Sequence, residues 1–125
     1  MTPEELGRER YVSLATFRRS GQEVRTPVWI ASEAGRLYVY TNRTSGKVKR
    51  IRRESRVRLA GCDVRGRVHG AWAEGRARML DAPEERARGL AAIVRKYGWQ
   101  MRLALLASRL SGRYRDRAAI EIQLV

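Results

Sequence analysis

The stretch LYVYTNRTSGKVKRIRRESRVRL, residues Leu37 to Leu59, decides much of the fold. Its first residues alternate large apolar and aromatic side chains, which is typical of a β-strand. Thr, Ser and Gly then interrupt the strand, and eight basic residues follow from Arg43 to Arg58 against the single acid Glu54. The stretch therefore predicts a strand, a turn and a short basic helix, and it raises the question of which anion this helix meets.

The helix is predicted over Ser45 to Arg53. Val48 and Ile51 lie three residues apart, so that they share one face of a helix and can point towards a core. Ser45 stands where a helix N-cap is expected. The amino end of this short helix therefore lies next to the end of the preceding strand.

This amino end contains the residue types that bind phosphate. Thr41 and Ser45 offer hydroxyls, and Gly46 lets backbone N–H groups approach a ligand at the positive end of the helix. Lys47 lies in the first turn and Arg50 one turn later on the same side, so either can supply charge. The same residues also fit an ordinary cap with a basic face in water, and the local sequence leaves both interpretations open.

Period-two patterns and turn residues predict six strands in total, and Pro27 makes the second of them edge-like or bulged because it lacks an N–H. The predicted strands are Arg10–Phe17, Val24–Ala31, Leu37–Thr41, Arg56–Val64, Val68–Leu80 and Ala118–Val125. The turns between them include the polar segment RRSGQE and the segment EAGR. The pattern indicates a three-strand meander at the start of the chain.

Two more helices are predicted after the fifth strand. Asp81 is expected to cap the first, which runs to Gly98, and apolar residues recur at helical spacing within it. A second begins near Trp99 and is expected to close at Gly112. Residues 1–125 then form one mainly β (α+β) domain, a six-stranded antiparallel barrel with short helices at its rim.

Composition limits the possible partners. Of 125 residues, 27 are Lys or Arg and 13 are Asp or Glu, a formal charge of +14, so the chain attracts polyanions such as nucleic acid, a membrane surface or a phosphorylated ligand. No segment approaches about 18 uninterrupted apolar residues and no signal-peptide core is present, so no membrane and a cytoplasmic location are expected. Cys62 is the only cysteine of the sequence and His69 the only histidine, which excludes an intramolecular disulfide and a structural zinc site.

Residues Tyr11 to Leu80 contain, in order, the segments YVSLAT, TPVW, LYVYTN leading into SGKVKRIRR, RVRLAGCD and AWAEGRARML. This ordered set resembles the flavin and deazaflavin oxidoreductases of the pyridoxamine 5′-phosphate oxidase-like superfamily, which have the split β-barrel fold. It is most similar to the small actinobacterial branch that uses coenzyme F420. The resemblance covers more than half of the chain and is more specific than any one segment.

The resemblance implies a homodimer with two cofactor sites at its interface. The strand that contains Arg25, Pro27, Val28 and Trp29 would then flank the deazaflavin or isoalloxazine ring. Residues near Trp72 would also approach the ring.

The resemblance also implies that Thr41, Ser45 and Lys47 bind the cofactor phosphate. Flavin-binding relatives often have Arg immediately before the motif Lys, and this chain has Gly46 there, a departure that favours F420 over FMN. F420 carries a phosphodiester and a carboxylate-rich glutamyl tail. The candidates for contact with that tail are Lys49, Arg50 and Arg53.

The expected function is hydride transfer from reduced F420 to a small organic acceptor. The residues assign no catalytic acid or base, which suits a reaction whose chemistry the cofactor supplies. Three alternatives stay open: an FMN-dependent oxidoreductase on the same fold, a basic nucleic-acid-binding module with a helix-turn-helix near residues 96–100, and a carrier that holds the cofactor without turnover.

Overall fold

The computed structural model describes residues 2–110 and 117–125. In these residues the chain forms seven strands, which are β1 (Tyr11–Phe17), β2 (Glu23–Val28), β3 (Ile30–Glu33), β4 (Arg36–Asn42), β5 (Arg56–Cys62), β6 (Ala73–Met79) and β7 (Arg117–Leu124). Four helices accompany them, namely α1 (Pro3–Gly7), α2 (Gly46–Arg53), α3 (Pro83–Tyr97) and α4 (Trp99–Leu110).

All seven strands belong to one antiparallel sheet in the order β2-β1-β5-β6-β7-β4-β3. Its two edge strands, β2 and β3, are consecutive in the chain, and Trp29 alone separates them. Because one residue cannot span a flat sheet of seven strands, the sheet must curl until its edges approach each other. The result is a curled antiparallel half-barrel with a few helices, which agrees with the predicted split barrel.

The prediction of six strands is wrong by one, because Val24 to Ala31 forms two strands. Val28 still pairs with Val12 of β1, whereas Ile30 pairs with Val39 of β4. The chain therefore changes partner at Trp29 and passes from one edge of the sheet to the other. Strand composition continues through this point, so the change has no local signal in the sequence.

The predicted fifth strand, Val68 to Leu80, is also too long. β6 comprises Ala73–Met79, and the residues before it form loops joined to β5 by one bridge between Cys62 and Val68. Asp63 organises this loop, since its carboxylate accepts backbone N–H groups of Arg65 and Arg67. These local hydrogen bonds shape the turn that precedes the Cys62–Val68 bridge, and ladder pairing with β5 resumes only at Ala73, opposite Leu59.

The interior of the half-barrel is a single apolar core. Leu6 of α1 enters it near the start of β1, whereas Val48 and Ile51 of α2 enter it near the end of β1. The strands supply the remaining residues, which include Val12, Leu14, Leu37, Val39, Val57, Leu59, Ile120 and Ile122. Two helices thus close the two ends, and α1, whose side-chain cap is Thr2, has no counterpart in the sequence prediction.

α3 packs on the outer face of the sheet. Leu90, Ile93 and Tyr97 are buried against a second apolar cluster that contains Tyr38 of β4 and Ala119 of β7. β4 and β7 are therefore covered on both faces over residues 37–40 and 118–120, where their sequences are continuously apolar.

The ends of α3 and the course of α4 differ from the prediction in detail. The residue at the N-cap of α3 is Ala82, whereas the carboxylate of Asp81 accepts two hydrogen bonds from Arg52 of α2. Asp81 is therefore not a cap, because the Arg52 guanidinium engages both of its oxygens. The predicted second helix is confirmed as α4, and its expected closure at Gly112 lies outside the described residues. No helix in the described ranges is long and apolar enough to cross a membrane.

The side chain of Tyr97 binds the chain at the point where β2 ends and β3 begins. Its hydroxyl accepts the N–H of Ile30 at 2.9 Å and donates to the carbonyl of Arg10 at 2.8 Å. The Trp29 ring stacks on the Tyr97 ring with centroids 4.6 Å apart and planes 9° apart. Burial raises the pKa of Tyr97 to about 12, so its proton stays in place throughout the neutral range.

Replacing Tyr97 with Phe is expected to lower the free energy of unfolding by about 1–3 kcal/mol, because the buried Ile30 N–H loses its partner. Urea denaturation followed by circular dichroism measures this change. Tyr40→Phe is the control, since Tyr40 belongs to the same outer face and has no described side-chain hydrogen bond. Equal stability of Tyr97→Phe and wild type would contradict this role.

Candidate functional site

Five polar side chains converge where α2 begins. The ammonium of Lys47 donates to the hydroxyl of Thr41 at 3.1 Å, and Thr41 Oγ1 lies 3.4 Å from Ser45 Oγ. Arg50 Nε donates to the hydroxyl of Thr16 at 2.7 Å. We call these residues the α2 cluster: Thr16, Thr41, Ser45, Lys47 and Arg50. It combines two cations with three hydroxyls at one end of the barrel.

The core positions the α2 cluster. Val48 and Ile51 are almost fully buried, and they fix the rotation of α2 on the end of the barrel. Lys47 and Arg50 each precede one of these anchors, so their side chains run along the rim where β1 and β4 end. Thr16 and Thr41 are buried near those strand ends and offer hydroxyls rather than charge. Packing of α2 therefore places the two cations before any ligand binds.

The charges of Lys47 and Arg50 are not balanced locally. Neither side chain forms an ion pair with a carboxylate among residues 2–110 and 117–125. Burial lowers the pKa of Lys47 below its ordinary value, and the positive charge of Arg50 lowers it further. Two neighbouring, partly buried cations without an acid are costly in a ligand-free protein, and an anion would offset that cost.

Gly46 makes room for Arg50. A Cβ atom at position 46 would lie 2.7 Å from Nη1 of Arg50, so the guanidinium occupies the space that a side chain would fill. Ser45 takes the N-cap position, but its side chain makes no cap hydrogen bond, and the first turn of α2 contains no acid. Backbone N–H groups, Lys47 and Arg50 thus all lie at one helix end, an arrangement that favours the binding of an anion.

Replacing Gly46 with Ala is expected to displace the Arg50 guanidinium without harming the fold. The displaced group is the flexible end of a side chain, and Ala is at least as favourable as Gly in a helix. Binding of a phosphate-bearing ligand should weaken about three- to tenfold, as expected for a misplaced charged contact. Isothermal titration measures the affinity, and thermal denaturation measures the stability. Gly70→Ala is the control for glycine loss alone, because Gly70 is exposed and an added Cβ there would make only an ordinary contact at 3.7 Å.

The other two residues predicted to contact the glutamyl tail, Lys49 and Arg53, lie beside the α2 cluster. Lys49 is exposed, and the Arg53 guanidinium donates to the carbonyl of Phe17 at 2.6 Å. Arg53 also lines a cavity of about 210 Å³ together with Arg18, Arg19 and Arg56, and Glu54 is the one acid in its lining. Cations therefore continue from the α2 cluster around the end of β1.

Arg25 and Trp72 lie in a different group, on the outer face of β1, β2 and β5. The guanidinium carbons of Arg25 and Arg58 lie 4.6 and 4.7 Å from the centroid of the Trp72 ring. Glu23 forms ion pairs with both arginines at 2.8 and 2.7 Å. Partial burial favours the neutral form of Glu23, but hydrogen bonds from Arg25 and Arg58 outweigh this effect and lower the pKa of the carboxyl group. The carboxylate therefore stays charged. The group is a surface of an aromatic ring and two arginines whose charges are balanced in part by carboxylates.

The other predicted ring contacts are dispersed. Val28 is buried in the core, Pro27 is exposed near Gly66, and Trp29 stacks on Tyr97. Within one chain, the structure thus unites Thr41, Ser45, Gly46, Lys47 and Arg50, but it does not bring Arg25 or Trp72 into the α2 cluster. The sequence analysis missed Thr16 and Arg58, which reach their sites by strand pairing. No group of three or more metal-binding side chains occurs among the described residues.

The curled half-barrel with an anion-ready helix end at its rim defines a protein of the split-barrel class. The chain belongs to the pyridoxamine 5′-phosphate oxidase family, whose model matches residues 3–125. This match confirms the resemblance to the pyridoxamine 5′-phosphate oxidase-like superfamily, and it does not extend to the branch that uses F420. No match was found among curated proteins.

Several solved structures have the same fold. A conserved hypothetical protein from Mycobacterium tuberculosis superimposes with a TM-score of 0.72 at 22% identity, over 98% of this chain and 77% of that one. An FAD-binding protein from Mesorhizobium loti superimposes with a TM-score of 0.61 at 20% identity, over 96% of this chain and 84% of that one. A heme storage protein from Vibrio cholerae, HutZ, superimposes with a TM-score of 0.67 at 13% identity, over 97% of this chain and 86% of that one. At these identities the likeness concerns the fold.

Proposed function

We propose that this protein is an oxidoreductase that uses coenzyme F420 and reduces a small organic acceptor. The observation that carries the proposal is the α2 cluster, in which Lys47 and Arg50 stand beside three hydroxyls with no described carboxylate partner. A phosphodiester carries one negative charge, which both cations would attract and which would offset half of their combined charge. When bound, the reduced deazaflavin supplies the hydride, and the protein supplies binding and orientation.

Each part of the cluster has a role in this proposal. The ammonium of Lys47 and the hydroxyls of Thr41 and Ser45 hold the phosphate, and the guanidinium of Arg50 lies over Gly46 to complete the site. Charge-assisted hydrogen bonds of this type are stronger than neutral ones and fix the position of the ligand.

The choice of F420 over FMN rests on the cations beyond the cluster. Lys49 and Arg53, with Arg18 and Arg19 at the neighbouring cavity, continue the positive surface past the phosphate site. A glutamyl tail with several carboxylates fits such a surface, whereas FMN ends at its phosphate. Because these contacts are exposed, they should weaken with salt.

We also propose that the protein is a homodimer, in which the ring contacts dispersed within one chain come together. Arg25 and Trp72 form an outward-facing surface on the sheet, and a second chain placed there would bring them towards a cofactor held by its own α2 cluster. Multi-angle light scattering tests this. A monomer at micromolar concentration would count against the shared site.

The test of the function is parallel titration of the protein with oxidised F420 and with FMN, followed by the fluorescence of each ligand. Saturable F420 binding near one per chain, stronger than FMN binding, supports the proposal. Stronger FMN binding would move the function to flavin chemistry, for which an FAD-binding protein of the same fold is a precedent. Binding of neither, with salt-sensitive binding of DNA, would favour the nucleic-acid alternative.

Turnover is tested separately from binding. Reduced F420 is mixed with the protein and a panel of electron-poor alkenes and quinones, and its reoxidation is followed by absorbance. Oxidation that needs both protein and acceptor establishes an enzyme. Tight binding without oxidation by any acceptor of the panel would favour a cofactor carrier.

A further inference from the structure

A second cavity, of about 540 Å³, lies beside the carboxyl end of α3. Its wall is formed by Arg8, Arg10, Lys96, Tyr97 and Gln100. These residues come from the segment between α1 and β1, the end of α3 and the first turn of α4. None of them is acidic, so the cavity presents hydrogen-bond donors and positive charge. Its volume suits a small organic molecule.

The two arginines of this wall lack the acidic partners that many other arginines of the chain have. Arg58, Arg67 and Arg78 each pair with a carboxylate at 2.7 Å. Arg8 and Arg10 are exposed and form no ion pair within the part of the chain that the structure describes. Being two residues apart in one segment, they bring two guanidinium groups to the same opening.

Lys96 contributes a third cation from the floor of the cavity. Its half-buried ammonium donates to the backbone carbonyls of Glu9 and Ile30, and these two contacts hold it in place. An ammonium has three N–H donors, so one remains for a ligand. Burial lowers the pKa of Lys96 to about 8, and the nearby carboxylate of Glu9, which does not line the cavity, opposes this shift.

The chemistry of this wall selects the class of ligand. The Tyr97 hydroxyl is occupied by backbone groups, which leaves the guanidiniums, the ammonium and the Gln100 amide for recognition. Guanidinium groups bind planar carboxylates through two parallel hydrogen bonds, and three cations balance more than one negative charge. We propose that this cavity binds a small aliphatic dicarboxylate. The site shares no residue with the α2 cluster.

The experiment is isothermal titration of the cofactor-free 125-residue chain with succinate at low salt, with succinamide as the uncharged analogue. We expect saturable binding of succinate near one per chain and no measurable binding of succinamide. The double variant Arg8→Gln, Arg10→Gln should bind succinate at least about tenfold more weakly, because it loses two charge-assisted contacts. Both side chains are exposed, so the variant should fold.

The matched control is Arg65→Gln, Arg88→Gln, which removes two exposed charges outside this cavity. Its affinity for succinate should stay within about twofold of wild type, since both doubles change net charge equally. Equal weakening in the two doubles would mean general attraction of anions and would overturn the proposal. So would undetectable succinate binding or equal binding of succinamide. None of these results depends on F420, so the outcome is separate from that of the proposed function.

Discussion

The Lys47→Ala variant is expected to bind F420 about 10- to 150-fold more weakly than wild type while keeping its fold. The change removes a charge-assisted contact to the phosphodiester, for which about 1.5–3 kcal/mol is typical. The ammonium is half-buried and already directed at Thr41, so little of this energy is lost in ordering the side chain. Ligand fluorescence gives the affinity, and circular dichroism checks the fold.

Lys49→Ala is the matched control for this loss. Lys49 is an exposed lysine two residues further along the same helix, so its removal changes the net charge equally. We expect less than about a threefold change in affinity, because exposed charges are screened by solvent and salt. If both variants lost affinity equally, Lys47 would have no specific contact with the phosphate and the assignment of the α2 cluster would be wrong.

In the ligand-free protein, the partly buried charge of Lys47 is expected to lower the free energy of unfolding. Burial lowers the pKa of Lys47 in the folded state below the ordinary 10.5, so the unfolded chain holds this proton more tightly. The contribution of Lys47 to stability therefore rises with pH from the lowered pKa up to 10.5. We expect Lys47→Met to be more stable than wild type at pH 7, with a difference that shrinks towards pH 10.5. A difference that grows with pH would contradict this.

Much of the fold could be predicted because its signals are local. Alternation marked β1, β4 and β7, and the spacing of Val48 and Ile51 marked α2. The split of the second strand at Trp29 could not be predicted, since it depends on the curl of the whole sheet and on a hydroxyl from Tyr97, 67 residues from Ile30. The same is true of Asp81, whose local sequence fits a cap while its partner, Arg52, lies on another helix.

The candidate site likewise contains residues that local sequence predicts and residues that only the fold brings together. Thr41, Ser45, Gly46, Lys47 and Arg50 are neighbours in sequence, and the turn from β4 into α2 brings them together. Thr16 joins them only because β1 and β4 end at the same rim of the barrel, a fact of topology without a sequence motif. The cavity at Lys96 was missed for the same reason, since its walls come from both ends of a long stretch of chain.

The Ile51→Ala variant is expected to lower the free energy of unfolding by about 2–5 kcal/mol, the usual cost of truncating a buried Ile. Ile51 is 3% exposed and is one of two residues by which α2 closes its end of the barrel. Urea denaturation at several protein concentrations measures the loss and separates it from any change in association. Since small domains are stable by only about 5–15 kcal/mol, the variant should unfold at a much lower urea concentration.

This variant also distinguishes packing from charge in the α2 cluster. Ile51 touches no ligand in the proposed site, yet it fixes the rotation of the helix that carries Lys47 and Arg50. At low temperature, where the variant is folded, F420 affinity should fall several-fold because the cations are less well positioned. Ile51→Val, which keeps most of the buried volume, should lose only about 0.5–1.5 kcal/mol and bind nearly as wild type. Full affinity in a folded Ile51→Ala protein would show that the core does not position the site.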